Sequence, residues 1–228
     1  MNDLAQFIDG NVSLHSDLRP FLSTVPKLGP VLRHPLVYSV PYFVGLNQVL
    51  NKQYEAKCKF VQEAMEQGDW AQVLMLYERP WRIFYFARYM PRMSDSDYWD
   101  MLQWLWQDTE NLWQNKRLWL GLLKSKRPER ERLMSSADHD RFSQLESEVV
   151  IYRGCMNKNK LGLSWTLNGT VARFFALRFR DTGLLLKGTC ARAAILACFE
   201  GRGEEEVVVE PRKVTLLQVV EVSKEERG

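Results

Sequence analysis

Apolar residues along the chain change their spacing twice. Up to about Leu46 they are broken by Pro20, Pro26, Pro30, Pro35 and Pro41, a density that interrupts helices and predicts short helices with extended connections. From Leu46 the period becomes helical. In LNQVLNKQYEAKCKFVQEAMEQ, residues Leu46, Val49, Leu50, Tyr54, Cys58, Val61 and Met65 fall on one stripe, as an amphipathic helix requires. Gly68 and Asp69 stop that helix and open a second, DWAQVLMLYERP, through a glycine C-cap followed by an aspartate N-cap.

SDSDYWDMLQWLWQDTENLWQNKRLWLGLLKS is the strongest helical segment. Trp99, Leu102, Trp106, Trp113 and Leu120 recur along it, and Ser94 or Ser96 can cap its start with acid in the first turn. A tryptophan stripe of this kind reads as core. RPERERLMSSADHDRFSQL then predicts two short helices, with Pro128 suited to a first turn. After about Leu145 the pattern turns to strands: EVVIYRG, LGLSWT, GLLLKGT, AAILACFE, EVVVEP and KVTLLQVVEV are short aliphatic runs bounded by Gly, Pro or charge. One helix interrupts them, GTVARFFALRF, capped by Asn168 and carrying Val171, Phe175 and Phe179 on one face. The expected class is α+β: a helical region over 1–145, partly integral to the fold, and a β-rich, mostly antiparallel core over 146–228.

Composition alters this picture little. With 31 basic and 28 acidic residues the net charge is +3, which does not suggest a general nucleic-acid binder. Cys58, Cys155, Cys190 and Cys198 form no CxxC pair, and only three histidines are present, so no metal site is expected and the cysteines read as reduced thiols. No signal peptide opens the chain and no apolar run approaches the roughly 20 residues of a membrane span. The expected location is the cytoplasm, without membrane contact.

Three polar features stand out against the strands. Arg153 leaves the first of them beside Gly154, where a planar guanidinium fork can hold a phosphate. Ser164 and Thr166 alternate around Trp165, so the two hydroxyls share one face. In GRGEEEVVVEP, an extended chain would put Glu204 and Glu206 on one face, roughly 6.5–7 Å apart, with Glu205 opposite. Such a pair can divide labour, one carboxylate stabilising developing positive charge and the other assisting a nucleophile. Each feature alone has an ordinary reading: a solvated arginine, a strand with a buried tryptophan, and an acidic edge that discourages aggregation.

Taken in order, Arg153–Gly154, Ser164-x-Thr166, an aromatic helix and Glu204-x-Glu206 resemble the R-S-E class of mono-ADP-ribosyltransferases, over about Val149 to Val222. The resemblance implies a split, mostly antiparallel sheet core and NAD as co-substrate, with no metal. It implies that Arg153 binds the NAD phosphates, that the Gly154 backbone holds the nicotinamide amide, and that Ser164 orients the catalytic Glu206 with Thr166 in support. Glu204 would assist the acceptor, leaving Glu205 a bystander; Phe174 or Phe175 would stack on nicotinamide, and Phe199 and Arg202 would touch substrate. The middle motif departs from the family's usual Ser-Thr-Ser at Trp165. Glu-x-Glu implies a protein arginine acceptor. The basic stretches KSKRPERER and NKNK raise RNA or DNA as a rival acceptor, although Glu129 and Glu131 within the first favour a solvated face. The same residues are also compatible with an NAD glycohydrolase, or with a non-catalytic interaction module on the same scaffold. Family habit suggests a bacterial or phage toxin, effector or defence protein, acting in the host-cell cytoplasm if delivered, with an antitoxin or inhibitor protein among its implied partners.

Overall fold

A computed structural model describes residues 12–201 and 203–224. The chain is α+β, and its contacts divide it into two compact units, Met1–Met93 and Ser94–Gly228.

In the first unit the proline-rich stretch is a three-stranded antiparallel meander, β1 (Leu22–Val25), β2 (Gly29–His34) and β3 (Tyr38–Pro41). Among the described residues the expected short helices here are two 3-10 turns, Arg19–Phe21 and Val44–Leu46. Proline is tolerated because it sits near strand ends: Pro30 is the second residue of β2 and Pro41 the last of β3. Gly29 at φ 80° closes the first turn, a backbone geometry that costs glycine nothing. Helices α1 (Asn47–Glu66), α2 (Trp70–Met75) and α3 (Arg79–Tyr89) follow. Gly68 takes φ 72°, and the Asp69 side chain accepts from the Gln72 amide to cap α2.

The second unit opens with α4 (Asp95–Asp108), α5 (Lys116–Leu123) and α6 (Ser136–Ser143). The long tryptophan-rich segment is therefore two helices. The Thr109 hydroxyl bonds back to Leu105 O at 2.7 Å while its backbone turns extended, so side chain and backbone end α4 together. The six expected strands all form: β4 (Glu148–Cys155), β5 (Ser164–Thr166), β6 (Thr182–Ala191), β7 (Ile195–Phe199), β8 (Glu206–Val209) and β9 (Thr215–Ser223). They make one sheet in the order β7-β8-β5-β4-β6-β9, every neighbouring pair antiparallel. Helices α4–α6 lie in the same compact unit as the sheet.

One sheet face carries Val149, Ile151, Trp165, Leu186, Val207 and Val209 into an apolar core. The opposite face holds α7 (Gly169–Leu177). Gly154 and Gly183 let this helix approach: a Cβ on Gly154 would lie 1.9 Å from Ala172 O, and one on Gly183 would lie 2.2 Å from Ala176 O. No described helix is long and apolar enough to cross a membrane.

Candidate active site

Strand register carries the candidate residues into a row. Phe199 pairs with Glu206, Glu206 with Thr166, Thr166 with Tyr152, and Tyr152 with Lys187. Directly opposed residues of an antiparallel sheet share a face, so these five side chains cross five strands on the face that α7 covers in part. Ser164 lies on the same face, one step along, opposite Val208. The residue facing Glu206 across the ladder is thus Thr166, and Ser164 is displaced from it by two residues.

The Glu-x-Glu stretch is not extended throughout. Strand β8 begins at Glu206, and Glu205 has φ 45° in the left-handed region, an unusual backbone for a non-glycine residue. This turn replaces the simple alternation expected of a strand, yet Glu204 and Glu206 still line one small pocket with Phe199, Gly201 and Gln107. Its cavity volume is about 20 Å³, room for about one water molecule and far below the roughly 300–1,000 Å³ of ligand sites. It is a shallow notch that a ring or head group can rest against, and it encloses no part of a dinucleotide.

Backbone and side-chain bonds hold this turn on all sides. The Thr166 hydroxyl donates to Glu204 O at 2.6 Å, and the Leu167 amide to Glu205 O at 3.0 Å. The Glu205 carboxylate accepts from Asn168 Nδ2 at 2.9 Å and from Arg141 Nη2 at 3.1 Å. Arg141 also reaches Glu200 at 3.4 Å, whose amide donates to Asp138 Oδ1 at 2.8 Å. Glu205 is therefore a clamp to α6 and to the cap of α7, where sequence reading made it a bystander. Glu206 Oε2 accepts from the Trp106 indole N–H at 3.0 Å.

Arg153 occupies a different place. Alternation along β4 turns it to the face of Ile151 and Cys155, opposite Tyr152. Its guanidinium donates to Ser164 O and, at 3.1 Å, to Asn159 O, while Nε has no partner. The lack of a side chain at Gly162 makes room for it, since a Cβ there would come within 2.1 Å of Arg153 Nη2. Burial pushes the guanidinium pKa down, against the charges of Cys155 and Glu206. The structure thus brings Glu204, Glu206, Thr166 and Phe199 together, with Ser164 adjacent, and ties Arg153 into the backbone of the loop between β4 and β5. Lys116, at the start of α5, is a second cation on that loop, donating to Leu161 O at 2.9 Å; burial and the charges of Arg117 and Arg153 lower its pKa.

The remaining candidates separate clearly. Gly154 is a close-packing residue under α7. Phe174 is 55% exposed, and Phe175, half-buried, meets it edge to face at 5.5 Å. Phe199 ends β7 and is 4% exposed. Arg202 lies outside the described residues. In KSKRPERER four of the five cations are engaged: Lys124 by Glu210, Arg127 by Asp95, Arg132 by Asp100, and Arg130 by Leu123 O and Leu196 O; Lys126 is exposed. Burial raises the thiol pKa of Cys155, Cys190 and Cys198, the last to about 12, which leaves them poor nucleophiles. Sequence reasoning missed Trp106, Gln107 and Arg141 as site residues; the first lay in a stripe that looked wholly like core. No protein-family model, curated protein or solved structure matches the chain.

Proposed function

We propose that this chain is an NAD-dependent mono-ADP-ribosyltransferase with a sheet core of that type. One observation carries the reading: the Arg153, Ser164-x-Thr166 and Glu206 strands are consecutive neighbours in the sheet, and Glu206 shares a pocket with Glu204 and Phe199. In this reading the nicotinamide–ribose end of NAD lies at the pocket and the rest of the dinucleotide lies outside it. The bond from ribose C1′ to the nicotinamide nitrogen breaks, nicotinamide leaves neutral, and positive charge grows on the ribose. The Glu206 carboxylate stabilises that charge as it forms. An acceptor nucleophile then bonds to C1′ and gives its proton to Glu204.

Two carboxylates and an aromatic ring at the mouth of the notch match the chemistry of a planar arginine head group, which supports a protein arginine acceptor. Four of the five KSKRPERER cations are engaged by partners within the protein, which gives no support to a nucleic-acid grip. As placed, Arg153 gives no support to diphosphate binding, because it lies on the sheet face opposite Glu206 with its guanidinium on Ser164 O and Asn159 O; holding a diphosphate requires the loop between β4 and β5 to rearrange.

The test is nicotinamide release from NAD by wild type and Glu206→Gln, with label from NAD followed into added lysate. Label entering protein, and lost by at least about a hundredfold in the variant, supports transfer. Free ADP-ribose alone indicates a glycohydrolase. Absence of both turnover and NAD binding overturns the enzyme reading and leaves an interaction module.

A further inference from the structure

The segment preceding the sheet contributes to the glutamate pocket. Trp106 sits near the end of α4, 2% exposed, between two other rings. It meets Trp119 edge to face at 5.3 Å and stacks against Phe199 at 6.0 Å with planes 28° apart. Phe199 is itself the cross-strand neighbour of Glu206. A ring fixed on two sides presents its N–H in one direction, and that N–H meets Glu206 Oε2 at 3.0 Å.

The chemistry of the pair is directional. An indole N–H can only donate, and an ionised carboxylate can only accept. A glutamate side chain has three rotatable bonds, and a donor fixed at its end limits the directions its carboxylate can take. Gln107, the next residue of α4, lines the same pocket. One helix end therefore supplies both a donor and part of a wall.

We propose that Trp106 is a positioning residue that sets the orientation of the Glu206 carboxylate toward the reacting ribose. The inference rests on the catalytic role of Glu206 proposed above. Trp106 touches the carboxylate and need not touch substrate. Its loss lowers turnover while NAD binding stays largely as it was, because the diphosphate and adenosine lie outside this pocket.

The experiment compares wild type, Trp106→Phe, Glu206→Gln and the double variant, all well below their melting temperatures. Phenylalanine keeps a ring between Trp119 and Phe199 and deletes the N–H. Turnover of NAD in Trp106→Phe is expected to fall roughly tenfold to a hundredfold with little change in KM, and the double variant to be no slower than Glu206→Gln, since the two residues act as one unit. Proton NMR supplies a readout independent of turnover: the Trp106 indole resonance, identified by its absence in Trp106→Phe, is expected to move in Glu206→Gln. Wild-type kcat in Trp106→Phe, with only a lower melting temperature, reduces Trp106 to packing and overturns the inference. So does an indole signal indifferent to Glu206→Gln. Absence of turnover in the wild type instead sinks the transferase reading on which the inference rests, and the two failures are distinct.

Discussion

Asn168→Asp separates two explanations of how the acidic turn is held. Asn168 caps α7 through Oδ1, which accepts from the Thr170 amide at 2.9 Å and the Val171 amide at 3.3 Å. Aspartate caps a helix as well as asparagine does, and its charge favours the helix N-terminus by about 0.3–1 kcal/mol. Capping alone therefore predicts a neutral or slightly stabilising change. The other end of the amide says otherwise, because Nδ2 donates to Glu205 Oε1 at 2.9 Å. Aspartate removes that donor and sets one carboxylate against another. The Glu205 side chain is 30% exposed, so the lower end of the charged hydrogen-bond range applies, about 1.5 kcal/mol. Repulsion at that separation adds about 1 kcal/mol in a water-like dielectric. After the dipole gain, the net loss is about 2 kcal/mol.

The cycle with Glu205→Gln makes the reasoning exposed to refutation. Alone, Glu205→Gln has one oxygen and one NH₂ to meet two donors, Asn168 and Arg141, so one contact becomes donor against donor. Combined with Asn168→Asp, the new NH₂ can face the aspartate while the oxygen still accepts from Arg141. Both singles lose stability in urea denaturation, and the double recovers most of it, a coupling of about 2 kcal/mol. A single Asn168→Asp variant within about 0.3 kcal/mol of wild type, or strictly additive losses, would show that Glu205 is the bystander its sequence context suggested.

Two further expectations bear on the scaffold. Gly154→Ala places a methyl 1.9 Å from Ala172 O and 2.4 Å from Ala176 N; these are helix backbone atoms, so α7 must move off the sheet at a cost on the order of 3 kcal/mol, and denaturation at wild-type urea concentration would contradict this packing. His34 is 5% exposed, and its Nδ1 accepts from the Leu36 amide at 3.2 Å. Burial lowers its pKa from 6.5 to about 4, against the opposing pull of Asp17. The neutral ring is the native form, so its contribution is whole above pH 6.5 and is lost as pH falls toward 4, about 3 kcal/mol in all. His34→Asn keeps an acceptor without the titration; the same acid dependence of melting in that variant as in wild type would refute the assignment.

Local chemistry made much of the fold readable. Asp69, Ser94 and Asn168 cap the helices they were expected to cap, because a cap needs only residues within one turn. All six C-terminal strands follow from short aliphatic runs between breakers. The meander at 22–41 was obscured by prolines, which interrupt helices and are equally at home near strand ends. The break at Thr109 was hidden because the tryptophan stripe resumes after it. The site was legible in its residue types but not in its assignments. Trp106 is 100 residues from Glu206, and no spacing rule joins them. Arg153 reads as a phosphate ligand from its neighbours in sequence, while its direction depends on strand parity and on the space left at Gly162.

The three adjacent glutamates differ because their backbones do. Three carboxylates in a row repel one another, and an uninterrupted strand would leave two on one face with nothing to balance them. The left-handed φ at Glu205 turns the middle carboxylate away from the pocket toward Arg141, a cation that also serves Glu200. One negative charge is thereby neutralised outside the pocket. Glu206, now the first residue of β8, accepts from the indole N–H of α4, a donor that carries no charge. Glu204 keeps its place in the pocket through its own carbonyl, held by the Thr166 hydroxyl, so its carboxylate need not serve as an anchor. A catalytic pair requires two acids close together with their charges retained, and a fold requires that such a pair not push itself apart. Anchoring the middle residue to arginine and asparagine meets both demands, and explains why the run holds three glutamates although the proposed chemistry uses two.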